Sequence, residues 1–379
     1  MADPYQPIYL DTAERAALFL DSISEVRDLA LDTEGASFHR YVDRIYLLQL
    51  STQDHSAIID PLHAGPIPAL GKLLEDRDVE IVFHDADYDL RLLRQDYGWH
   101  VTHIFDTRIA AQLLGMTSFG LAALLEKFYG VKLDKVHQRA DWSMRPLTPS
   151  MLDYAAQDTR YLLDLRDELR MGLEQLGRME WAAEEFERLE QVQFAPDDSA
   201  TGFMKVKGAR DLKRRELAVL REVAAWRDAR AAELDRSTFR VMGNEALLEI
   251  ARQQPTTRAA LGAIKGVPRG VLERNGSDIV EGIERALAVP EADLPRFPRP
   301  VRWERDPDFD ANVAKLKAVR DSVAASLKLD PGVLCSRDRM EAVARRKPTT
   351  VAEVAELPEL RRWQASVLGP DFVRALATP

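Results

Sequence analysis

Short apolar segments separated by polar turns mark the first part of the chain. The spacing of apolar residues over 12–22 predicts an opening helix. Three short apolar runs follow, each bounded by polar or turn-forming residues, and they predict strands over 25–32, 45–50 and 56–60. Because the connections between them are short, these strands are expected to pair as an antiparallel meander.

Helical and strand patterns alternate after residue 60. Helices are predicted over 67–74 and 90–97, and strands over 79–83 and 104–106, before a run of further helices. Such alternation is typical of strands added in parallel to one sheet. The pattern therefore predicts an α/β domain, with a mixed sheet flanked by helices.

One long amphipathic helix is predicted over 151–176, where apolar residues recur with a helical period. Thr148 or Ser150 is its expected cap. Further along, the stretch 195–199 is rich in proline, aspartate and serine, a composition typical of a linker. The first domain is accordingly expected to span residues 1–195.

The remainder of the chain repeats itself at a distance of 93 residues. Residues 250–257, IARQQPTT, align without a gap with 343–350, VARRKPTT. Each copy fits a helix, a loop, a second helix that ends before Pro-Thr-Thr, and two further short helices. We therefore expect two small all-helical domains, over 208–290 and 304–379, joined by the proline-rich stretch 290–303.

The composition is that of a globular protein without structural disulfides. Of 379 residues, 46% are apolar and 30% are charged, and no apolar segment approaches the roughly 20 residues needed to cross a bilayer. Cys335 is the single cysteine, which excludes an internal disulfide framework and a cysteine-rich zinc site. The first residues lack the basic and apolar regions of a signal peptide, so we expect a cytoplasmic protein. We also expect a monomer.

The net charge of −10 is distributed unevenly along the chain. Residues 1–200 carry −17, whereas residues 201–290 carry +5 and residues 291–379 carry +2. An acidic first part is therefore followed by segments that tolerate or attract polyanions. The overall acidity does not exclude an enzyme that acts on nucleic acid.

Two carboxylates, Asp32 and Glu34, end the first buried strand pattern and stand one residue apart. Side chains in a strand alternate with period two, so both lie on one face. Two half-buried acids repel each other unless cations neutralise them, and Mg²⁺ or Mn²⁺ prefers oxygen-rich sites of this charge. Because the same spacing recurs elsewhere in the chain, the pair alone does not establish a metal site.

Two further acidic motifs lie downstream. The first, HDADYDL, ends a strand and begins a helix: Asp85 or Asp87 is suited to cap that helix, and Asp89 falls in its first turn. The second is YAAQD, in which Tyr154 and Asp158 are four residues apart and therefore share one face of a helix. Burial in the apolar side of that helix is the alternative interpretation of the tyrosine.

Together these residues predict a phosphodiesterase. Four carboxylates on strands and helices can hold two Mg²⁺ or Mn²⁺ ions about 4 Å apart, an arrangement that activates the attacking water and stabilises the leaving 3′ oxygen. Tyr154 can orient or deprotonate that water. A helicase is disfavoured, because the glycine-containing stretch 65–73 lacks both the spacing and the Ser or Thr of a P-loop.

The three motifs resemble those of the DEDDy 3′ to 5′ exonucleases, which have a ribonuclease H-like fold. Together with RYVDRIYLLQL, DWSMRPL and the duplicated helical pattern, they are similar to bacterial ribonuclease D, which carries its HRDC domain in two copies. The resemblance implies a 3′-5′ exoribonuclease that releases nucleoside 5′-monophosphates. It also implies trimming of the 3′ ends of transfer RNA precursors and other small stable RNAs.

The resemblance also implies roles for single residues. The residues that match the ligands of two divalent metal ions are Asp32, Glu34, Asp89 and Asp158. Tyr154 matches the residue that assists the nucleophilic water. Gln138 and Asp141-Trp142 match a segment near the active site, in which Ala140 replaces an expected serine.

An RNA strand is expected to contact cations through its phosphates and aromatic side chains through its bases. The densest basic run in the chain and one later arginine supply the predicted RNA-binding residues, which are Lys205, Lys207, Arg210, Lys213, Arg214, Arg215 and Arg240. A solvated helix face is the alternative interpretation of this run. Trp226 and Phe239 are candidates for stacking, although Trp226 stands at a helical core position. At the positions equivalent to Trp226 and Phe239, the second copy has Val319 and Gly332. The first copy is therefore expected to contribute more to RNA binding.

Two alternatives stay open at this point. A DNA 3′-5′ exonuclease of the same superfamily would use the same chemistry, because residues alone do not separate ribose from deoxyribose. The other alternative is a non-catalytic RNA-binding scaffold with a decayed nuclease domain. The complete set of four acids and the tyrosine argues against the scaffold.

Overall fold

The computed structural model describes residues 7–134, 136–195, 201–298 and 306–377. These residues form two compact units. The first takes in the described parts of 1–35, 45–194 and 303–379, and the second takes in those of 36–44 and 195–302. Most of the predicted linker, 196–199, and the end of the predicted joining stretch, 299–303, lie outside the described residues.

A six-stranded sheet lies in the first unit, in the spatial order β1-β4-β3-β2-β5-β6. Its strands are β1 (Ile8–Leu10), β2 (Asp28–Glu34), β3 (Leu47–Ser51), β4 (Ser56–Ile59), β5 (Glu80–Phe83) and β6 (Ile104–Asp106). Strands β2, β3 and β4 pair antiparallel, whereas β5 and β6 extend the sheet from β2 in parallel. The predicted meander and the predicted parallel additions are confirmed.

Strand β1 has no counterpart among the predicted strands. It pairs in parallel with β4 at the edge of the sheet and has only three residues, of which Ile8 is 40% exposed. A strand this short offers too few alternations for a pattern to be recognised. Tyr9 at its centre donates a hydrogen bond to Asp60 at 2.5 Å, so tertiary contacts define this strand.

The helices that accompany the sheet up to residue 195 are α1 (Ala13–Ser22), α2 (Pro61–Ala64), α3 (Pro68–Leu74), α4 (Asp87–Tyr97), α5 (Thr107–Leu113), α6 (Leu121–Tyr129), α7 (Pro149–Arg160), α8 (Leu162–Gln175) and α9 (Met179–Leu189). Thr148 caps α7 by accepting a hydrogen bond from the Met151 amide at 3.2 Å. The prediction of one helix over 151–176 is wrong, because the backbone leaves helical geometry at Tyr161 (φ −109°, ψ 3°). Neither glycine nor proline stands at this break, so the sequence contains no helix-stop signal there.

A buried ion-pair network holds the start of β2 to α8. Arg166 Nη1 lies 2.7 Å from Asp28 Oδ1 and also contacts Glu80, which Arg170 contacts in turn. Arg166 is only 5% exposed. Although burial lowers it, hydrogen bonds and charges from Asp28 and Glu80 raise the pKa of Arg166, so the guanidinium stays charged. Charged groups at this end of the strand thus neutralise one another within the chain.

The described residues of each helical copy form five α-helices. In the second unit these are α10 (Arg214–Glu233), α11 (Thr238–Val241), α12 (Asn244–Gln253), α13 (Arg258–Ala263) and α14 (Arg269–Ala288). In the first unit they are α15 (Phe309–Leu327), α16 (Pro331–Leu334), α17 (Arg337–Arg346), α18 (Val351–Ala355) and α19 (Arg362–Ala377). From α11 and α16 onward, equivalent helices begin 93 residues apart, as the sequence repeat predicts.

The repeat extends to individual contacts. Thr257 and Thr350 each cap the fourth helix of their copy by accepting from a backbone amide at 3.2 Å. In the first copy, Arg227 donates to the carbonyl oxygen of Met242 at 3.4 Å. The equivalent Arg320 donates to that of Cys335 at 3.2 Å. The two copies are therefore built by the same local interactions.

The two copies differ in what they pack against. The first has a core of its own. The second shares one apolar cluster with α5, α8 and α9: Trp363 of α19 stacks on Trp181 of α9 with 4.9 Å between ring centroids. Glu185 of α9 accepts hydrogen bonds from Arg361 and Trp363, each at 3.0 Å. None of the described helices has both the length and the apolar composition needed to cross a membrane.

Candidate active site

Three carboxylates converge at the end of β2. Asp32 and Glu34 alternate onto one face of this strand, and Asp158 comes from α7, which packs against β2 and β3. One carboxylate oxygen from each of the three lies within 4.8 Å of the others. The structure therefore brings together acids from two distant parts of the sequence.

Asp89 stands beside these three, in the first turn of α4. Its Oδ1 accepts hydrogen bonds from the Thr33 backbone amide at 3.0 Å and from the Thr33 hydroxyl at 2.5 Å. It lies outside the set within 4.8 Å, yet its charge raises the pKa of both Asp32 and Glu34. Thr33 thus fixes Asp89, a role for which its sequence position gives no indication. We call Asp32, Glu34, Asp89 and Asp158 the acidic centre.

The other acids of the second motif make different contacts. Asp85 has a left-handed backbone conformation (φ 69°) and pairs with Arg108, and Asp87 pairs with an arginine of its own helix at 2.7 Å. The expectation that one of them caps α4 is wrong. Ala86 occupies the cap position, and its amide donates to Asp106 at 2.8 Å. Asp106 also caps α5, so this buried acid fixes the turn from which Asp89 projects.

Burial changes the ionisation of the acidic centre, for which the described residues supply no cationic partner. Burial raises the pKa of Asp89 and of Asp158 to about 7. Burial first, and then the neighbouring carboxylates, raise the pKa of Asp32 and of Glu34 well above the usual range. In the described part of the chain, no lysine, arginine or histidine pairs with any of the four. Four carboxyl groups, which offer only oxygen ligands, form the kind of set that divalent cations bind.

Gln49 of β3 is an unpaired polar side chain next to this centre. It is the register partner of Asp32, and cross-strand partners point to the same face of a sheet. Gln49 is fully buried, and neither its amide nitrogen nor its amide oxygen has a hydrogen-bond partner among the described residues. A buried amide is costly unless it is hydrogen-bonded. The orphaned amide and the carboxylate set together fit a site for hydrated divalent cations.

Tyr154 lies one helical turn before Asp158. Its half-buried ring is edge-on to His137 at 5.9 Å and lies 6.0 Å from the buried ring of Trp142, measured between centroids. Burial first, and then the charges of the acidic centre, raise the pKa of its hydroxyl. The hydroxyl is therefore protonated at neutral pH and can donate a hydrogen bond.

Arg145 ties the segment before α7 to the sheet. Its guanidinium donates to the two carboxylate oxygens of Asp60 at 2.6 and 2.8 Å, and to the carbonyl oxygen of Trp142 at 2.7 Å. Although burial opposes the shift, hydrogen bonds from Arg145 and two other side chains lower the pKa of Asp60 to about 2. Of the residues matched in this segment, Trp142 is buried, Asp141 and Ala140 are half-buried, and Gln138 is exposed.

Three of the predicted RNA-binding residues make structural hydrogen bonds within the second unit. Arg215 donates to two carbonyl oxygens in the last turn of α14 and to one just after the helix. Arg214 donates to the carbonyl oxygen of Leu294 at 2.8 Å. Arg240 donates to the carbonyl oxygen of Phe38 at 2.6 Å. These arginines therefore anchor the fold of this unit, and their contact with RNA stays a prediction.

The remaining predicted RNA-binding residues are Lys205, Lys207, Arg210 and Lys213, and all four are exposed. The Arg210 guanidinium lies 5.0 Å from the centroid of the Phe297 ring. Trp226 is half-buried against the core of the first helical copy, as its helical position indicates. Phe239, in contrast, is exposed. The three lysines, Arg210 and Phe239 are thus exposed, and their contact with RNA stays a prediction as well.

Comparison with known proteins identifies the domains. A 3′-5′ exonuclease family model matches residues 7–174, and the HRDC domain model matches 216–283 and again 310–376. The ribonuclease D of Gluconacetobacter diazotrophicus is 30% identical over 368 residues, which cover 96% of this chain and 91% of that protein. The ribonuclease D of Escherichia coli is 30% identical over 338 residues, 88% of each chain.

The same relationship appears in three dimensions. The crystal structure of Escherichia coli RNase D, described as an exoribonuclease involved in structured RNA processing, superposes with a TM-score of 0.76. The superposition covers 98% of each chain at 26% sequence identity. The mixed-sheet exonuclease domain and the duplicated helical domain match those of ribonuclease D, and the match covers nearly the whole chain. The chain therefore belongs to the ribonuclease D family of 3′-5′ exoribonucleases.

Proposed function

We propose that the chain hydrolyses RNA from its 3′ end by a two-metal-ion mechanism, with Asp32, Glu34, Asp89 and Asp158 as the metal ligands. The observation that carries the proposal is the acidic centre. Three of its carboxylates have oxygens within 4.8 Å of one another, and no described cationic side chain pairs with any of the four. Family membership supports hydrolysis of a phosphodiester as the reaction.

Three parts of the fold hold the four proposed ligands. The ladder between β2 and β3 fixes Asp32 and Glu34, hydrogen bonds from Thr33 fix Asp89, and the packing of α7 on the sheet fixes Asp158. Two bound Mg²⁺ or Mn²⁺ ions would activate the attacking water and stabilise the leaving 3′ oxygen. The chain's contribution is to hold the four carboxylates in place before the substrate arrives.

We assign Tyr154 the role of orienting the attacking water. Burial, the main cause of the raised pKa of its hydroxyl, supports a hydrogen-bond donor over a base as its role. The rings of His137 and Trp142 restrict the tyrosine ring from two sides. Tyr154→Phe should therefore slow the chemical step by about a hundredfold and leave RNA affinity nearly unchanged.

The proposed substrates are unpaired 3′ ends of structured RNAs such as transfer RNA precursors, shortened by one nucleoside 5′-monophosphate at a time. Similarity to the Escherichia coli enzyme, which is described as involved in structured RNA processing, supports this assignment. The surplus of positive charge over residues 201–290 supports binding of a polyanion. We propose that the protein acts as a monomer in the cytoplasm.

The test is a time course on a transfer RNA with a 3′ extension, labelled at its 5′ end. Reactions contain Mg²⁺, Mn²⁺ or EDTA, and product lengths are resolved on a sequencing gel. We expect a ladder that shortens from the 3′ end one nucleotide at a time, release of mononucleotides, and no product in EDTA. A matched DNA strand serves as the comparison for the sugar.

Two outcomes would contradict the proposal. Internal fragments would show an endonuclease, and equal turnover in EDTA would remove divalent cations from the reaction. Faster degradation of the DNA strand would reassign the substrate while leaving the acidic centre in place.

A further inference from the structure

Exposed aromatic side chains form a patch in the second unit. Phe38 and Tyr41, from the loop over 36–44, are 46% and 40% exposed, and Phe239 of α11 is 51% exposed. The rings of Phe38 and Phe239 meet edge to face, with 6.0 Å between centroids. We call Phe38 and Phe239 the aromatic patch; Tyr41 is a further exposed ring on the same loop. Clustered exposed rings are costly in water and mark binding surfaces more often than single exposed apolar residues do.

Hydrogen bonds hold the loop that carries Phe38 and Tyr41. Arg240 donates to the carbonyl oxygen of Phe38 at 2.6 Å, and the Ser237 hydroxyl donates to two further carbonyl oxygens of the loop. Asp235 accepts a hydrogen bond from the Tyr41 amide at 3.3 Å. The rings are therefore exposed on a backbone that is already ordered, which reduces the entropy lost when a ligand binds.

The surroundings of the patch are positively charged. The loop 36–44 and the segment 235–240 together contain four arginines and two aspartates, in a chain whose net charge is −10. One arginine, Arg40, pairs with Asp235 at 3.2 Å, so the surplus comes from the others. Cations beside exposed rings are the combination that binds a single nucleic-acid strand: the cations contact phosphates and the bases stack on the rings.

We infer that the aromatic patch is a stacking platform for unpaired bases of the RNA substrate. The inference rests on the proposed function, because it takes RNA as the ligand. Bases in a duplex are already stacked and paired, so the platform selects unpaired strands. Phe38 is not adjacent to Phe239 in the sequence, and only the packing of the loop on α11 brings the two rings together.

The experiment measures binding of a short fluorescein-labelled oligouridylate by anisotropy, with Ca²⁺ in place of Mg²⁺ to limit hydrolysis. Phe38→Leu and Phe239→Leu retain apolar volume but remove the ring. Each should weaken binding by about five- to a hundredfold, the range that corresponds to stacking one base on an aromatic side chain. Phe239→Trp should retain the affinity. Phe194→Leu, at a ring that is 41% exposed in the first unit, is the matched control and should leave it unchanged.

An oligomer of abasic sugars of the same length separates stacking from indirect structural effects. It should bind the unaltered protein more weakly than oligouridylate does, and Phe239→Leu should change its affinity less than twofold. An equal loss on both oligomers would overturn the stacking role. The melting temperature of each variant, measured in parallel, shows whether the fold is retained.

The results distinguish this inference from the proposed function. If the unaltered protein degrades RNA and both leucine variants bind oligouridylate normally, the platform is wrong and the nuclease assignment stands. If the unaltered protein shows no metal-dependent degradation, the proposed function itself fails. A change of molecular mass in solution without a change of RNA affinity would instead make the patch a contact between copies of the chain, and would also overturn the inference.

Discussion

The two ends of β2 carry acids in opposite surroundings. At its start, Arg166 and Arg170 neutralise Asp28 and Glu80 inside the fold. At its other end, the acidic centre has no cationic partner among the described side chains, and burial raises the pKa of its carboxyl groups. The acids at both ends are half-buried or buried, and the presence of a cationic partner is what differs.

This difference separates structural acids from functional ones. Where the chain supplies its own cations, the charged groups contribute to specific packing and hold α8 to the sheet. Where the described residues supply none, the repulsion between the carboxylates persists until a ligand relieves it, which is the usual condition of a functional site. The spacing of acids in the sequence does not distinguish the two cases, because it does not show where arginines will lie.

The largest effect is expected from removing a proposed metal ligand. Asp32→Asn or Asp158→Asn should lower the rate of RNA hydrolysis by about a thousandfold or more, equivalent to about 4 kcal/mol of activation free energy. Single-turnover kinetics at saturating Mg²⁺ measure this rate. Each variant also removes a repelling charge, so the metal-free protein should melt at the same or a higher temperature.

Asp28→Asn is the matched control on the same strand. It neutralises an acid that already has a cationic partner, so turnover should be unchanged while the free energy of unfolding falls. The comparison between the two ends would fail if Asp28→Asn reduced turnover as much as Asp32→Asn did.

The next largest effect is expected at the start of β2. Arg166→Met leaves Asp28 without its arginine and Glu80 with Arg170 and His103. Breaking a buried ion pair from one side costs about 3–5 kcal/mol. Urea denaturation should show a loss near the lower value, with normal turnover below the unfolding temperature.

An exposed pair provides the reference for that loss. Arg269 of α14 pairs with Glu273 at 2.7 Å, and its side chain is 90% exposed. Arg269→Met should therefore cost less than about 1 kcal/mol, since surface pairs contribute little. Equal losses in the two variants would show that burial of Arg166 is unimportant.

Metal removal should expose the stored repulsion as a pH dependence. In EDTA, Asp89 and Asp158 titrate at about 7 in the folded chain, whereas unfolded aspartate titrates at about 3.9. Between these values the folded state binds more protons than the unfolded state, so stability should fall as the pH rises from about 4 to about 7. Calorimetry across this range measures the slope.

Added divalent ions should offset part of that loss at neutral pH. At a free concentration about 100 times the dissociation constant, Mn²⁺ should stabilise the folded protein by about 2.7 kcal/mol. Asp60 has the opposite effect on stability, because its pKa is lowered to about 2 in the folded protein. The ionised Asp60 therefore stabilises the fold above about pH 4, and this contribution is lost as the pH falls from about 4 to about 2. A stability in EDTA that rose between pH 4 and 7 would contradict the assignment of unneutralised carboxylates.

The smallest effect is expected at Gln49. Gln49→Leu removes an amide that has no partner among the described residues, so the metal-free protein should gain about 1 kcal/mol of stability. The same change should weaken Mn²⁺ binding about tenfold, as loss of an outer hydrogen bond to a metal site does. Calorimetric titration measures the affinity, and a variant that binds Mn²⁺ normally would show that the amide serves no role in the filled site.

Much of the architecture follows from the sequence because the deciding interactions are local. Alternation of apolar residues predicts the meander, Thr148 caps α7, and the 93-residue repeat predicts the second set of helices. The three acidic motifs identify the family, and membership in it favours the RNA enzyme over a DNA exonuclease or a non-catalytic scaffold.

Other features depend on side chains that meet only after folding. Thr33 holds Asp89, Arg214 and Arg215 donate to carbonyl oxygens far along the chain, and the break at Tyr161 has no local stop residue. The contacts of Thr33, Arg214 and Arg215 join positions distant in sequence, and no periodicity encodes them.

The sequence by itself therefore determined which carboxylates are candidates, which segments repeat and which chemistry the motifs permit, because these depend on residue type and spacing. The tertiary structure decided which acids meet cations from the chain and which do not. That distinction depends on where distant arginines lie in three dimensions, and it separates the ion pairs at the start of β2 from the acidic centre at its end.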